Sequence, residues 1–159
     1  MSDKLREAAQ AAYKAMIAAE LSDGSKREWE AAVDGLKAAG IQYIGDFPYD
    51  DEPTEIQTAS GPLVTLPYSV ENNDIPMMIV QHHEAAYWTQ KCIDTFDRYY
   101  LEAQERPKIM AIALHPYISG QPFRIKYLEK VYEHINKHSG VLHWNGEQIL
   151  DWYKKQPKG

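Results

Sequence analysis

A single cysteine, Cys92, stands in 159 residues, so neither an intrachain disulfide framework nor a cysteine-based zinc site can form. That scarcity fits a reducing compartment. No apolar stretch is long enough to span a bilayer, and the first residues carry charge and alanine where a signal peptide would carry an apolar core. The expectation is a soluble, cytoplasmic protein. Basic residues are also short: 17 Lys and Arg face 23 Asp and Glu, the net charge is −6, and only Lys154, Lys155 and Lys158 gather locally. A nucleic-acid surface needs a concentrated basic patch, so none is expected. A nucleophile elbow, a phosphate loop, a dinucleotide fingerprint and internal repeats are absent as well.

What is present suits one folded domain. Hydrophobic residues make up 44% of the chain, enough to bury a core at this length. Eleven tyrosines and four tryptophans occur partly in pairs such as Tyr87-Trp88, Tyr99-Tyr100 and Trp152-Tyr153. Such rings line cores and their rims; subunit interfaces and sugar-lined clefts are the alternative use.

The periodicity predicts a helix over Ser2–Leu21, then a second from Ser25, with Glu28 completing a capping-box pattern and Gly40 ending it. Ile41–Gly45 reads as a strand, and residues 54–59 and 63–67 read as a hairpin around Ser60-Gly61-Pro62. Helices are predicted at Glu84–Gln104, at about Pro122–His138 and at Gly146–Tyr153, with strands at Ile109–Leu114 and Val141–Trp144. This alternation of strands and helices predicts an α/β fold with mainly parallel strands, one hairpin and an extra N-terminal helix. Three principal strands are few for a closed barrel, so the expected architecture is a partial barrel or a small open sheet.

The apolar run Ile109–Leu114 ends on His115, and Pro116, Gly120 and Pro122 then force a turn. Ligand sites in α/β folds lie at the carboxyl ends of strands, and an imidazole titrates near neutral pH, so His115 is a candidate acid or base. A plain hydrogen bond to the following loop is the other reading. Two acidic clusters also follow predicted strands: Asp46, Asp50 and Asp51, and then Glu71, Asn73 and Asp74. Parallel strands would bring all of these to one end of the sheet, where carboxylates beside an imidazole suit acid–base hydrolysis. Ordinary turn chemistry would also place Asp and Asn there. His82-His83 cannot easily share one ion, because neighbouring side chains diverge in a strand or a helix. His134 and His138 have a spacing that could, but they lack the following Glu of a zinc protease and read as surface residues.

Together the segments Ala39–Asp46, Asp50–Pro53, Leu66–Pro76, Phe96-Asp97 and Leu114–Arg124 resemble the carboxyl-terminal half of the polysaccharide deacetylase family. The resemblance runs in order from about Glu28 to Tyr153 and is nearest to the allantoinase-like and peptidoglycan deacetylase-like branch. It implies half of a distorted (β/α) barrel over residues 25–159, with 1–24 as a helical extension. It also implies hydrolysis of a C–N bond in an acetamido sugar or a small cyclic amide or ureide. On that basis His115 is the expected general acid on the leaving nitrogen, and Asp51 acts with it. Asp46, Asp50, Glu71, Asn73 and Asp74 are the expected substrate-binding residues.

The family's early Asp-Asp and His-containing metal motifs have no counterpart in this sequence. No metal is therefore expected on this chain, and a zinc-like divalent ion only if a partner supplies ligands. The expected partners are the substrate and either further copies of the chain or a complementary half-barrel subunit. A non-catalytic binding or regulatory subunit is the alternative, and a small enzyme with unrelated chemistry is a third.

Overall fold

The computed structural model describes residues 26–45 and 49–157. The helix expected at Ser2–Leu21, the cap at Ser25, the boundary at residue 24 and the candidate residue Asp46 lie outside the described residues. Two compact units emerge. Among the described residues, one holds 26–44 together with 54–65, and the other holds 45, 49–53 and 66–157.

In the first unit, helix α1 (Lys26–Ala38) buries Ala32, Val33 and Leu36, one stripe of an amphipathic helix. It ends as glycine chemistry dictates: Gly40 adopts φ +90°, and the Ile41 amide reaches back to the Leu36 carbonyl at 3.1 Å. The predicted hairpin forms from β2 (Thr54–Thr58) and β3 (Gly61–Thr65), antiparallel, with Thr58 opposite Gly61. Its loop is the two residues Ala59-Ser60, one position earlier than the sequence suggests. Gly61 takes φ +111°, which an L side chain resists, and so closes the turn. Strand β1 is only Tyr43–Ile44 and pairs parallel with β3, giving the order β1-β3-β2. The Asp34 carboxylate accepts the Ser60 amide at 2.6 Å and ties α1 to the hairpin.

The regular elements of the second unit are helices. After Asp74 the segment Ile75–Val80 winds as a short π-helical turn, with the Gln81 amide bonded to the Pro76 carbonyl at 2.9 Å. Helices α2 (Ala85–Glu102), α3 (Ile125–Ile135) and α4 (Gly146–Lys154) follow. Met77, Met78, Trp88, Cys92, Phe96, Ile118, Val131 and Ile135 form the core. Burial pushes the Cys92 thiol up to about 12, so it is an inert packing residue rather than a nucleophile. Helix α4 begins with a full capping box: the Asn145 side chain accepts the Gln148 amide, and the Gln148 side chain accepts the Asn145 amide, both at 2.9 Å. Asn145→Ala is expected to cost about 1 kcal/mol, read as a lowered urea midpoint.

Three expectations are corrected. Ile109–Leu114 and Val141–Trp144 form no strand of a sheet among the described residues. The first makes one parallel bridge, Asn73 to Ala113, and one further backbone bond, Ile109 to Asp51 at 2.8 Å. A strand exists only where a neighbour continues its ladder, and among the described residues these segments have none along most of their length. For the same reason the hydrogen-bonded sheet is not mainly parallel: its longer pair is the antiparallel hairpin. The helix expected from Pro122 starts at Ile125, because residues 116–124 are consumed by turns after His115.

Candidate functional site

The extended segment ending at Leu114 and the bend at Asn73-Asp74 are joined by the parallel bridge, with the Asp74 amide bonded to the Ala113 carbonyl at 3.2 Å. That pairing places Asp74 beside His115 although 41 positions separate them. Asp74 is fully buried. Its Oδ2 accepts the His115 backbone amide at 2.8 Å and the Ser119 hydroxyl at 2.5 Å, while its Oδ1 meets His115 Nδ1 at 2.6 Å. Burial by itself favours the neutral acid. The hydrogen bonds from Ser119 and from the His115 backbone and ring, together with the attraction of a charged imidazole, outweigh it and hold Asp74 below the usual carboxylate range. An ionised carboxylate can only accept, so Nδ1 carries the proton and Nε2 is left for a ligand. With 31% of its side chain exposed, His115 can be reached from solvent.

The turn behind the imidazole is tightly wound. The amides of Ile118 and Ser119 both bond the His115 carbonyl, at 2.8 and 3.0 Å. A methyl group on Gly120 would sit 2.4 Å from the Pro116 carbonyl oxygen, a backbone atom that cannot swing away. Gly120→Ala is therefore expected to destabilise the protein by about 1–3 kcal/mol, the usual cost of overpacking, and to shift the His115 ring resonances in an NMR spectrum. Unchanged spectra and stability would contradict it.

A separate cleft of about 320 Å³ gathers Asp50, Asp51 and Glu71, with Tyr68, Asn72 and Tyr99. The Tyr99 hydroxyl donates to Asp51 Oδ1, and Lys108 Nζ lies 3.9 Å from Asp51 Oδ2. Burial, the bond to Asp51 and the nearby charges of Asp51, Glu102 and Glu71 push the Tyr99 phenol up, so it remains a donor at neutral pH. Asp50 Oδ1 accepts the Asp51 amide at 2.7 Å, and Glu71 accepts the Ser69 hydroxyl at 3.1 Å. Asn73 stands at the margin: its Nδ2 donates to the Tyr68 hydroxyl at 3.2 Å, and its Oδ1 accepts the Ile75 amide at 2.9 Å.

The expected residues thus fall into two groups. Asp50, Asp51 and Glu71 share the cleft, whereas Asp74 and His115 form a pair that does not line it. Asp74 is better described as the group that orients His115 than as a substrate contact.

No protein family's sequence profile matches the chain. A "Putative polysaccharide deacetylase" of Schizosaccharomyces pombe is 35% identical over 124 residues, 73% of this chain and 38% of that protein. The chain is a relative of the polysaccharide deacetylases. A peptidoglycan deacetylase of Helicobacter pylori is 31% identical over 108 residues, 60% of this chain and 35% of that protein. The crystal structure of Puue allantoinase shares the fold: its TM-score is 0.76 at 24% identity, covering 99% of this chain and 56% of that one. The chain spans little more than a third of the length of the curated relatives it matches.

In this deacetylase relative, neither group of residues fits a zinc-type ion. Asp74 uses both oxygens on His115 and Ser119, and the cleft offers carboxylates with no imidazole among its lining residues. The structure adds four residues that sequence reasoning missed. Ser119 and Lys108 act through the carboxylates they touch, and Tyr99 is visible beforehand only as one of many tyrosines. Asn72 is the fourth: it lines the cleft, is 1% exposed, and neither its Oδ1 nor its Nδ2 has a hydrogen-bond partner. An unsatisfied buried amide costs about 1–3 kcal/mol, so Asn72 stands out in the wall of the cleft. Its signal lies in the run Glu71-Asn72-Asn73-Asp74, where the alternation of faces cannot be assigned without the bridge.

Proposed function

We propose that the chain takes part in hydrolysis of a C–N amide bond, such as deacetylation of an acetamido sugar or opening of a small cyclic amide or ureide. His115, as the imidazolium, gives its Nε2 proton to the leaving nitrogen as the carbon–nitrogen bond breaks. The buried Asp74 carboxylate fixes the ring through Nδ1 and stabilises its positive charge. Asp50, Glu71 and Asn73, with Asp46, contact substrate, and Asp51 with the Tyr99 hydroxyl orients it or the attacking water. The working unit is a homo-oligomer or a complex with a complementary half-barrel subunit. One observation carries this reading: the Asp74 carboxylate receives three hydrogen bonds, two of them from His115.

A non-catalytic binding or regulatory subunit is the second reading. What favours it is that Asp51 is already engaged by Tyr99 and Lys108, which makes it a poor base. Acetate release from an N-acetylated amino-sugar oligomer, followed for the wild-type assembly and for His115→Ala, separates the two. Turnover that survives the substitution sinks the acid role of His115. Binding of the oligomer without any turnover selects the regulatory reading.

A further inference from the structure

Outside both groups, α2 and the end of α3 bring together three metal-ligating side chains. Asp97, His134 and His138 each offer one ligand atom, and these atoms lie within 4.8 Å of one another. None of the three lines the cleft formed by Asp50, Asp51 and Glu71. We propose that Asp97, His134 and His138 form a surface site for a zinc-class divalent ion that clips α2 to the carboxyl end of α3. The proposal rests on this geometry and is independent of the amide-hydrolase reading.

The chemistry of the donors selects the ion. Two imidazoles and one carboxylate suit zinc, cobalt or nickel, whereas calcium and magnesium take oxygen ligands. Three protein donors leave a fourth position for water.

The histidines are held for such a role. His138 Nδ1 lies 3.0 Å from the His134 carbonyl oxygen. A carbonyl only accepts, so Nδ1 carries the proton and Nε2 keeps its lone pair. This is the second-sphere bond that fixes the tautomer of a ligating histidine. The His134 ring meets the Phe96 ring edge-on, with centroids 5.7 Å apart, and the His138 ring lies 4.9 Å from Phe96 and 4.8 Å from Tyr100. The Tyr100 hydroxyl donates to the Ser139 carbonyl at 3.1 Å and pins the turn that carries His138 against α2.

His134 Nε2 and Asp97 Oδ1 are now 2.6 Å apart across a shared proton. A tetrahedral zinc ion with bonds of about 2.0–2.2 Å separates its ligand atoms by roughly 3.3–3.5 Å. The hydrogen-bonded pair must open by less than an ångström, and the widest separation must close by somewhat more. Asp97 can supply that movement, because 51% of its side chain is exposed.

The test is a zinc titration of the tag-free full chain by calorimetry, with cobalt(II) absorption as a spectroscopic check on the ligands. One saturable equivalent is expected, together with a zinc-dependent rise in the thermal midpoint. Asp97→Ala removes an exposed ligand while keeping every ring of the aromatic cluster, and should weaken binding by at least about tenfold to a hundredfold, the loss seen when even an outer-sphere partner is removed. Asp97→Ala combined with His138→Ala should abolish it. The double variant His82→Ala with His83→Ala should bind as the wild type does. No saturable equivalent in the wild-type protein, unchanged affinity in Asp97→Ala, or loss of binding on changing His82 and His83 would each overturn the proposal.

Discussion

Asp74→Ala is expected to lower the stability of the chain by about 3–5 kcal/mol, the range for breaking a buried ion pair from one side. The substitution strands three donors at once: the His115 amide, His115 Nδ1 and the Ser119 hydroxyl. Each buried donor left without an acceptor costs about 1–3 kcal/mol, and the partly exposed imidazole recovers some of that through water. Urea unfolding at neutral pH reads the effect as a displaced midpoint with the slope preserved. A loss below about 1 kcal/mol would show that the hydrogen bonds are replaceable.

The same carboxylate makes stability depend on acid. Its folded-state value lies below the ordinary 3.8, so the folded chain binds the proton less readily than the unfolded chain does. The stabilisation is therefore fully present above that ordinary value and is lost as the pH falls through the lower, folded-state value. In Asp74→Asn this part of the acid sensitivity should vanish while the rest remains.

Under the proposed amide hydrolysis, His115→Ala is expected to lower kcat by about 10²- to 10⁴-fold, the usual worth of a positioned general acid. KM should move little, because the cleft formed by Asp50, Asp51 and Glu71 does not include the imidazole. Asp74→Asn should also lower kcat, since an amide presents an altered donor–acceptor pattern to Nδ1 and no charge to stabilise the imidazolium. The two substitutions act on one unit, so the double variant should be hardly slower than His115→Ala alone. Full additivity of the two losses would separate Asp74 from the chemistry and leave it a structural residue.

The helices were legible in the sequence because each carries its own signal. The apolar stripe of α2 and the hairpin around Gly61 are local patterns, readable within a few residues. Extended segments carry no such signal. Ile109–Leu114 has the composition of a buried strand, but whether it joins a ladder depends on residues far away, and among the described residues its backbone is met by Asp51 and by the Asn73-Asp74 bend.

The candidate site divides the same way. His115 was visible from the run that ends on it and the turn that follows. Its bond to Asp74 was not, because the parallel bridge between Asn73 and Ala113 creates it. Among the acids, Asp50, Asp51 and Glu71 do converge, while Asp74 turns inward to the histidine. Asp97 drew no attention beside His134 and His138, because the helix packing that unites them spans two elements.

The Asp74–His115 contact also has a kinetic side. It closes a loop of 41 residues that contains the whole of α2. Closing so long a loop costs entropy before its hydrogen bonds offset it, so the contact is expected to form late, after α2 packs on the core that holds Met77 and Ile118. The Asp74–His115 pair is in this sense expected to assemble after the helices around it, and Asp74→Asn should speed unfolding more than it slows folding.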